Sequence, residues 1–331
     1  MGPAHAGAGG RMTAGAPFFE ELRVGDVVET APALTLTEGH AALHQAIVGD
    51  RLRLALDATL SERVVGGRLA HPALVCDVAI GQSTLITQRV IANLFYRGLV
   101  LRRAPVLGDT LRTTTEVVAL RQASARPAGL AVLRIRTTDQ EDRRVLDFWR
   151  CAMLPLRDPD GRTGHADELD AIPSALDPAA LRAATAGFDL AAFRAAAPAD
   201  ALAEGTRWPA GGGDVVSAAP ELARLSLNVA MAHHDAGAGG RRLVYGGHTI
   251  GIAAGQATRV LPDLVTIVAW HGCDHTGPVF EGDTLRSDLE LERLEPLPEG
   301  GALAHLRSRV HAVREDGDAG VLDWRFVGLL A

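Results

Sequence analysis

The chain repeats itself once, and a repeat of this length constrains its fold more than any other feature. Pro105-Val106-Leu107-Gly108-Asp109-Thr110-Leu111-Arg112 returns as Pro278-Val279-Phe280-Glu281-Gly282-Asp283-Thr284-Leu285-Arg286, and Val145-Leu146-Asp147-Phe148 returns as Val321-Leu322-Asp323-Trp324. Asp109 and Asp283 lie 174 apart, Asp147 and Asp323 lie 176 apart, and His71 read against His248 gives 177. A near-constant offset held over such a distance marks an internal duplication. Two copies are too few for a solenoid. They fit two fused domains paired as an internal pseudo-dimer, the single-chain form of the commonest two-fold oligomer.

The length of 331 residues suits two domains, and an apolar content of 47% supports a core in each. A formal net charge of -7 argues against a nucleic-acid binder, whose footprint would be basic. Cys76, Cys151 and Cys273 are odd in number and widely spaced, which points away from a disulfide framework and towards a reducing cytoplasm. No apolar run reaches membrane-spanning length, so no membrane partner is expected. Residues 1–17 read as a flexible Gly/Ala-rich tail without a signal core.

Local patterns divide the rest. Residues 18–155 form the first copy. Thr37 caps a helix running to Val48, and His71-Pro72 opens an apolar helix reaching Val90, with Pro in a favoured first-turn position. Strands follow over 93–103, 109–120, 129–138 and 145–154, the alternation clearest in Leu130 to Arg136. Residues 156–209 are a linker with an Ala-rich helical stretch over 178–197. Residues 210–331 repeat the plan, with helices near 220–232 and 248–261 and strands near 264–274, 283–294, 302–313 and 320–330. A long buried helix followed by antiparallel strands, twice over, is an α+β architecture.

With those elements placed, four strings carry a resemblance: FFEELRVGDVV from Phe18, APVLGDTLRTTTEVV from Ala104, RRLVYGGHTIGIA from Arg241 and PVFEGDTLRSDLEL from Pro278. The chain resembles the MaoC-like hydratase/dehydratase family in its double hotdog form, over roughly 18–155 and 210–331. It is most similar to the branch that includes mesaconyl-CoA hydratase (β-methylmalyl-CoA dehydratase). The resemblance implies two copies of a long buried helix wrapped by an antiparallel sheet, pairing to build an acyl-thioester tunnel. It also implies reversible addition of water to a 2-enoyl thioester, including short branched or dicarboxylic acyl-CoA such as mesaconyl-CoA. No cofactor or metal is called for. The expected partner is an acyl-CoA or acyl-carrier thioester, with a homodimer of the pseudo-dimer as a further option.

The family's catalytic pattern is Asp, four residues, then His, often followed by x-Asp. The first copy has Asp50 but Ala55 at the His position, with Asp57 beyond. The second has Asn228, His233 and Asp235, offset by 178 from the first. The resemblance therefore places the working site in the second copy. His233 and His248 are its candidate proton carriers, since imidazole titrates near neutrality, and Asn228 can orient a water but not take its proton. Gly246, Gly247 and Thr249, with His248, open a buried helix whose free N–H groups suit a developing enolate oxygen. Asp235, Asp50 and His71 complete the substrate-binding candidates, and Arg241 and Arg242 are candidates for coenzyme A phosphates. Each has a plainer reading: His233 as a helix-end residue beside His234, Asn228 as a polar helix residue, His248 and His71 as structural helix starts. Asp109 and Asp283 read as turn residues. His271, Cys273 and His275 alternate on a predicted strand, but no separate ligand pair is signalled, so no metal site is assigned. Gly237 to Gly240 does not lie between a strand and a helix, and there is no GxSxG elbow. A hotdog thioesterase and a non-catalytic thioester binder stay open as alternatives.

Overall fold

A computed structural model of the chain describes residues 16–169, 172–173, 175–196, 202–209, 211–238, 241–315 and 317–331. Most of the expected tail, Ala210 of the PAGGGD loop and Gly239-Gly240 lie outside these residues.

The first copy runs β1 (Val27–Val28), β2 (Leu34–Thr35), α1 (Glu38–Val48), α2 (Arg53–Leu56), α3 (Ala58–Val65), α4 (Pro72–Gln82), β3 (Ala92–Leu101), β4 (Thr110–Gln122), β5 (Ala128–Thr138) and β6 (Arg144–Pro155). The connection carries α5 (Pro178–Thr185) and α6 (Leu190–Ala196). The second copy runs β7 (Arg207–Trp208), β8 (Asp214–Val215), α7 (Ala219–Leu225), α8 (Gly246–Val260), β9 (Leu264–His275), β10 (Thr284–Pro296), β11 (Ala302–Val313) and β12 (Ala319–Leu330), with a 3-10 turn over Met231–His233.

Local chemistry explains the boundaries. Thr37 caps α1 by accepting from the His40 N–H. In β5, Leu133, Ile135 and Thr137 turn into the core while Arg134 and Arg136 do not. The apolar helix expected to reach Val90 ends at Gln82 and tightens into a 3-10 turn over Ser83–Ile86. There the Ser83 and Thr84 hydroxyls donate back to the Ile80 and Gly81 carbonyls, competing with the helical ladder. The helix expected to reach residue 232 stops at Leu225, because Leu227 is left-handed and the Asn228 N–H folds back on the Ala223 carbonyl.

Among the described residues the strands form one antiparallel sheet in the order β1-β4-β5-β6-β3-β9-β12-β11-β10-β7. The copies join at β3 and β9, where Tyr96 opposes Cys273 and Leu99 opposes Trp270. Shifting Tyr96 by 174 gives Trp270, and shifting Cys273 back gives Leu99, so each pair maps onto the other as a two-fold axis requires. Helices α4 and α8 pack on one another and on the sheet.

Cross-copy contacts repeat the symmetry. The Arg51 N–H donates to Thr258 Oγ1 of the second copy, and the Val229 N–H donates to Thr84 Oγ1 of the first. Gly81 of α4 faces the Ser226 carbonyl, where a Cβ would sit 1.7 Å from the oxygen. Gly255 of α8 faces the Val48 carbonyl, where a Cβ would sit 2.9 Å away. Glycine is thus what lets the segment before each site cross the other copy's helix.

The offset of 174 also corrects the partner of His71. Leu69 bridges Val106 as Leu243 bridges Phe280, and His71 and Tyr245 are the residues preceding α4 and α8. His71 therefore corresponds to Tyr245, and His248 lies one turn further along.

Candidate active site

A cavity of about 270 Å³ opens where the second copy's loop and helix start meet the first copy's sheet. His233, Asn228, Gly246, Thr249 and His275 come from the second copy, Tyr96 and Arg150 from the first. The site is thus built across the copy interface.

Asn228 follows the left-handed Leu227, and its Oδ1 accepts the Ala230 N–H at 2.9 Å. Asp50 follows the left-handed Gly49 and accepts the Leu52 N–H at 3.0 Å through Oδ2. The two are the same turn in two copies. With Oδ1 accepting the Ala230 N–H, the Asn228 amide hydrogens remain available to the cavity.

That turn delivers His233 to the cavity wall. Its Nδ1 lies 2.9 Å from the Leu243 carbonyl, which can only accept, so Nδ1 carries the proton and Nε2 keeps its lone pair. Burial pushes the ring's pKa down to about 4, with Arg150 and His234 adding to the effect against the opposing Leu243 carbonyl. His233 is therefore neutral at physiological pH, the form a base requires. The Tyr245 ring sits 5.6 Å away, its phenol pushed far up by burial and by the Asp77 carboxylate.

The start of α8 forms the adjoining wall. Tyr245 gives it no side-chain cap, and the His248 N–H is held by the Tyr245 carbonyl at 2.9 Å. Gly246 and Gly247 are left as its first donors. Their missing side chains make room for protein groups: a Cβ on Gly246 would meet the His275 ring at 2.5 Å, and one on Gly247 would meet Asp77 Oδ1 at 2.0 Å.

The first copy keeps the turn but lacks the other features. Ala55 replaces His233, Pro72 replaces Gly246 and has no N–H, and the Ala73 N–H is taken by His71 Nδ1 at 3.1 Å. His71 Nε2 closes onto Asp50 at 3.0 Å. Burial raises the Asp50 carboxyl, but His71 and the Leu52 N–H outweigh it and hold the pKa below the ordinary range. Asp50 and His71 thus close on each other inside the first copy and are not part of the cavity.

Three further expectations are corrected. His248 is fully buried off the cavity, with neither ring nitrogen hydrogen-bonded among the described residues, and burial, with His44 beside it, drives its pKa to about 4. Asp235 is exposed and spends Oδ1 on the Gly237 N–H. Arg242 pairs with Glu281, and Arg241 lies over Phe280. The turn reading of Asp109 and Asp283 holds: each accepts from a backbone N–H three residues earlier. His271 pairs with His305 at 2.8 Å while His275 faces the cavity, and among the described residues no three ligating side chains gather as a metal would need.

Sequence reasoning missed Arg150, Tyr96 and Tyr245 and weighed His275 only as a metal ligand. Arg150 carried a signal: it is the sole charge in the run Phe148 to Leu154, on a strand otherwise apolar there.

The fold is that of a single-chain double hotdog, with an open candidate site in the second copy and the matching position of the first closed. Comparison agrees. No family model matches the chain. A structure of a conserved hypothetical protein from Mycobacterium tuberculosis, a double hotdog, is 51% identical, covers 97% of this chain and 100% of its own, and superposes with a TM-score of 0.87. A protein from Chloroflexus aurantiacus described as a MaoC domain dehydratase is 25% identical over 97% of this chain and 99% of its own, with a TM-score of 0.84. The β-methylmalyl-CoA dehydratase of Chloroflexus aurantiacus is 29% identical, over 90% of this chain and 88% of that protein. The chain belongs to the double hotdog proteins and is similar to the MaoC-like hydratases and dehydratases among them.

Proposed function

We propose that the protein reversibly hydrates a short 2-enoyl-CoA at the His233 cavity. One observation carries this reading. A neutral, buried imidazole with its proton fixed on the far nitrogen shares a small cavity with an uncapped helix start. At about 30 Å³ per water, 270 Å³ holds roughly nine waters, room for a short acyl group. The relatives' names add the CoA thioester and the water chemistry.

In the proposed reaction His233 Nε2 takes a proton from a water held by the Asn228 amide as the water oxygen bonds to the β-carbon. The electron pair of the double bond moves towards the thioester carbonyl. The enolate oxygen meets the N–H groups at the start of α8 and the positive end of the helix dipole. The imidazolium then delivers the proton to the α-carbon, so one water is added and His233 returns to its neutral form.

The test is hydration of crotonyl-CoA and mesaconyl-CoA, followed by enoyl absorbance with free thiol recorded in parallel. The wild type should hydrate at least one without releasing thiol, and His233→Ala should lose roughly 10²- to 10⁴-fold of the rate. Thiol release without hydration would make the protein a thioesterase. A fully active, folded His233→Ala would remove His233 from the chemistry.

A further inference from the structure

Arg150 stands in the wall of this cavity with no carboxylate to answer it. It is 3% exposed, on the central part of β6. Its Nε donates to Asn93 Oδ1 at 2.7 Å and its Nη1 to Ser83 Oγ at 3.0 Å, both neutral acceptors, and among the described residues no carboxylate lies within ion-pair distance. The buried carboxylate of α4, Asp77, sits against His44 at 3.4 Å and against Gly247. By contrast Arg103, also in the first copy, meets both Asp109 and Asp139. A buried unpaired guanidinium costs several kcal/mol unless something supplies the opposite charge.

The fold does not require that cation. Tyr96 opposes Arg150 in the β3–β6 pairing, and its counterpart Trp270 opposes Phe326 in the β9–β12 pairing. The second copy therefore places a fully buried phenylalanine where the first has Arg150. The other polar groups nearby repeat the contrast: Asn93 corresponds to Ile267 and His275 to Leu101. The charge is found only on the wall of the cavity that holds His233.

We infer that Arg150 is a specificity residue that receives a carboxylate on the acyl group, so that the substrate is the CoA thioester of a short 2-enedioic acid. This rests on the proposed thioester site but not on its chemistry. Asn93 and Ser83 fix the guanidinium in place and leave Nη2 for the ligand, a preorganised charge-assisted contact. The buried His275 Nε2, which has no partner, lies on the same cavity as a second polar contact. The phosphates of coenzyme A are too bulky and too strongly hydrated for a residue this enclosed. In a four-carbon 2-enedioyl thioester the carboxylate is bonded to the β-carbon. There it would repel an incoming water oxygen unless neutralised, which Arg150 does.

Binding and turnover separate the two claims. Succinyl-CoA and butyryl-CoA have four-carbon acyl chains without a double bond, differ by one carboxylate and cannot be hydrated. Calorimetry on the wild type should show succinyl-CoA binding roughly 10- to 150-fold more tightly, and the ratio should fall towards one in Arg150→Met and only partly in Arg150→Lys. Thermal unfolding of each variant checks that it is folded. A wild-type preference for mesaconyl- over crotonyl-CoA in kcat/KM, abolished in Arg150→Met, is the matching kinetic result. Equal wild-type affinity for the two saturated thioesters would overturn the inference even if crotonyl-CoA is hydrated. So would a folded Arg150→Met that keeps the binding ratio while losing turnover, because that would make Arg150 a partner of the enolate. Selective binding of succinyl-CoA with no hydration of either enoyl thioester would uphold Arg150 and remove the hydratase reading.

Discussion

His233 and Ala55 occupy one position in two copies, and the histidine's usefulness comes from its surroundings. Burial drives its pKa to about 4, and the Leu243 carbonyl fixes the tautomer. The groups facing it are Arg150, His234 and Tyr245, of which the first two also oppose protonation. The acid limb of kcat/KM should accordingly lie near pH 4 and not near 6.5, measured across pH 3.5 to 8 on the stable range of the enzyme. Asn228→Asp can keep the Ala230 turn while adding a negative charge beside the imidazole. Such a charge favours imidazolium, so the acid limb should move to higher pH; an unmoved limb would place Asn228 away from the base. Ala55→His should not awaken the first copy, because Pro72 and the His71 cap still withhold the donors at the start of α4. Second-site activity in an Ala55→His, His233→Ala double variant would contradict that.

Helices α4 and α8 carry the interface, and glycine sets how closely they approach the crossing segments. Gly81→Ala would put a Cβ 1.7 Å from the Ser226 carbonyl oxygen, a clash with backbone that no rotamer relieves. A loss of about 3 kcal/mol or more is expected, read as a fall in the thermal midpoint. Because Ser226 leads into Asn228, hydration should fall with it. The same substitution at Gly39, exposed in α1 with only an ordinary contact at 3.6 Å, should raise stability by about 0.5 kcal/mol through the loss of backbone entropy in the unfolded chain. The opposite signs test whether space or propensity governs each site.

The continuous pairing of β3 with β9 and the reciprocal crossings make the two copies one structure, with the candidate site lined by both. His233, His248 and His275 are all buried with pKa values driven to about 4. In the unfolded chain such rings bind protons near pH 6.5. Between pH 6.5 and 4 the unfolded state therefore holds more protons, and acidification favours it. Differential scanning calorimetry should show a thermal midpoint that is flat above pH 7 and falls steadily as the pH drops from 6.5 to 4. A midpoint constant across that window would mean that these histidines are not buried neutral.

The duplication, the long helices and the alternation of the strands were legible in sequence because they are local or periodic: Asp109 and Asp283 recur in one string, and β5 declares its inward face in Leu133 and Ile135. The spacing from Asn228 to His233 is equally visible in the sequence, but only the family resemblance made it a candidate proton-carrier pattern. What spacing could not settle was register near the helix start, where His71 aligns by residue type with His248 and by space with Tyr245. Nor could it show Asp235 facing water or Asp50 closing on His71. Arg150 needed the tertiary structure most. A charge in an apolar strand announces itself in one dimension, but whether a carboxylate answers it depends on residues far away in the chain. Only the packing of β6 beside α8 and the His233 loop shows that none does, because burial and charge pairing are properties of the assembled neighbourhood and not of the residue.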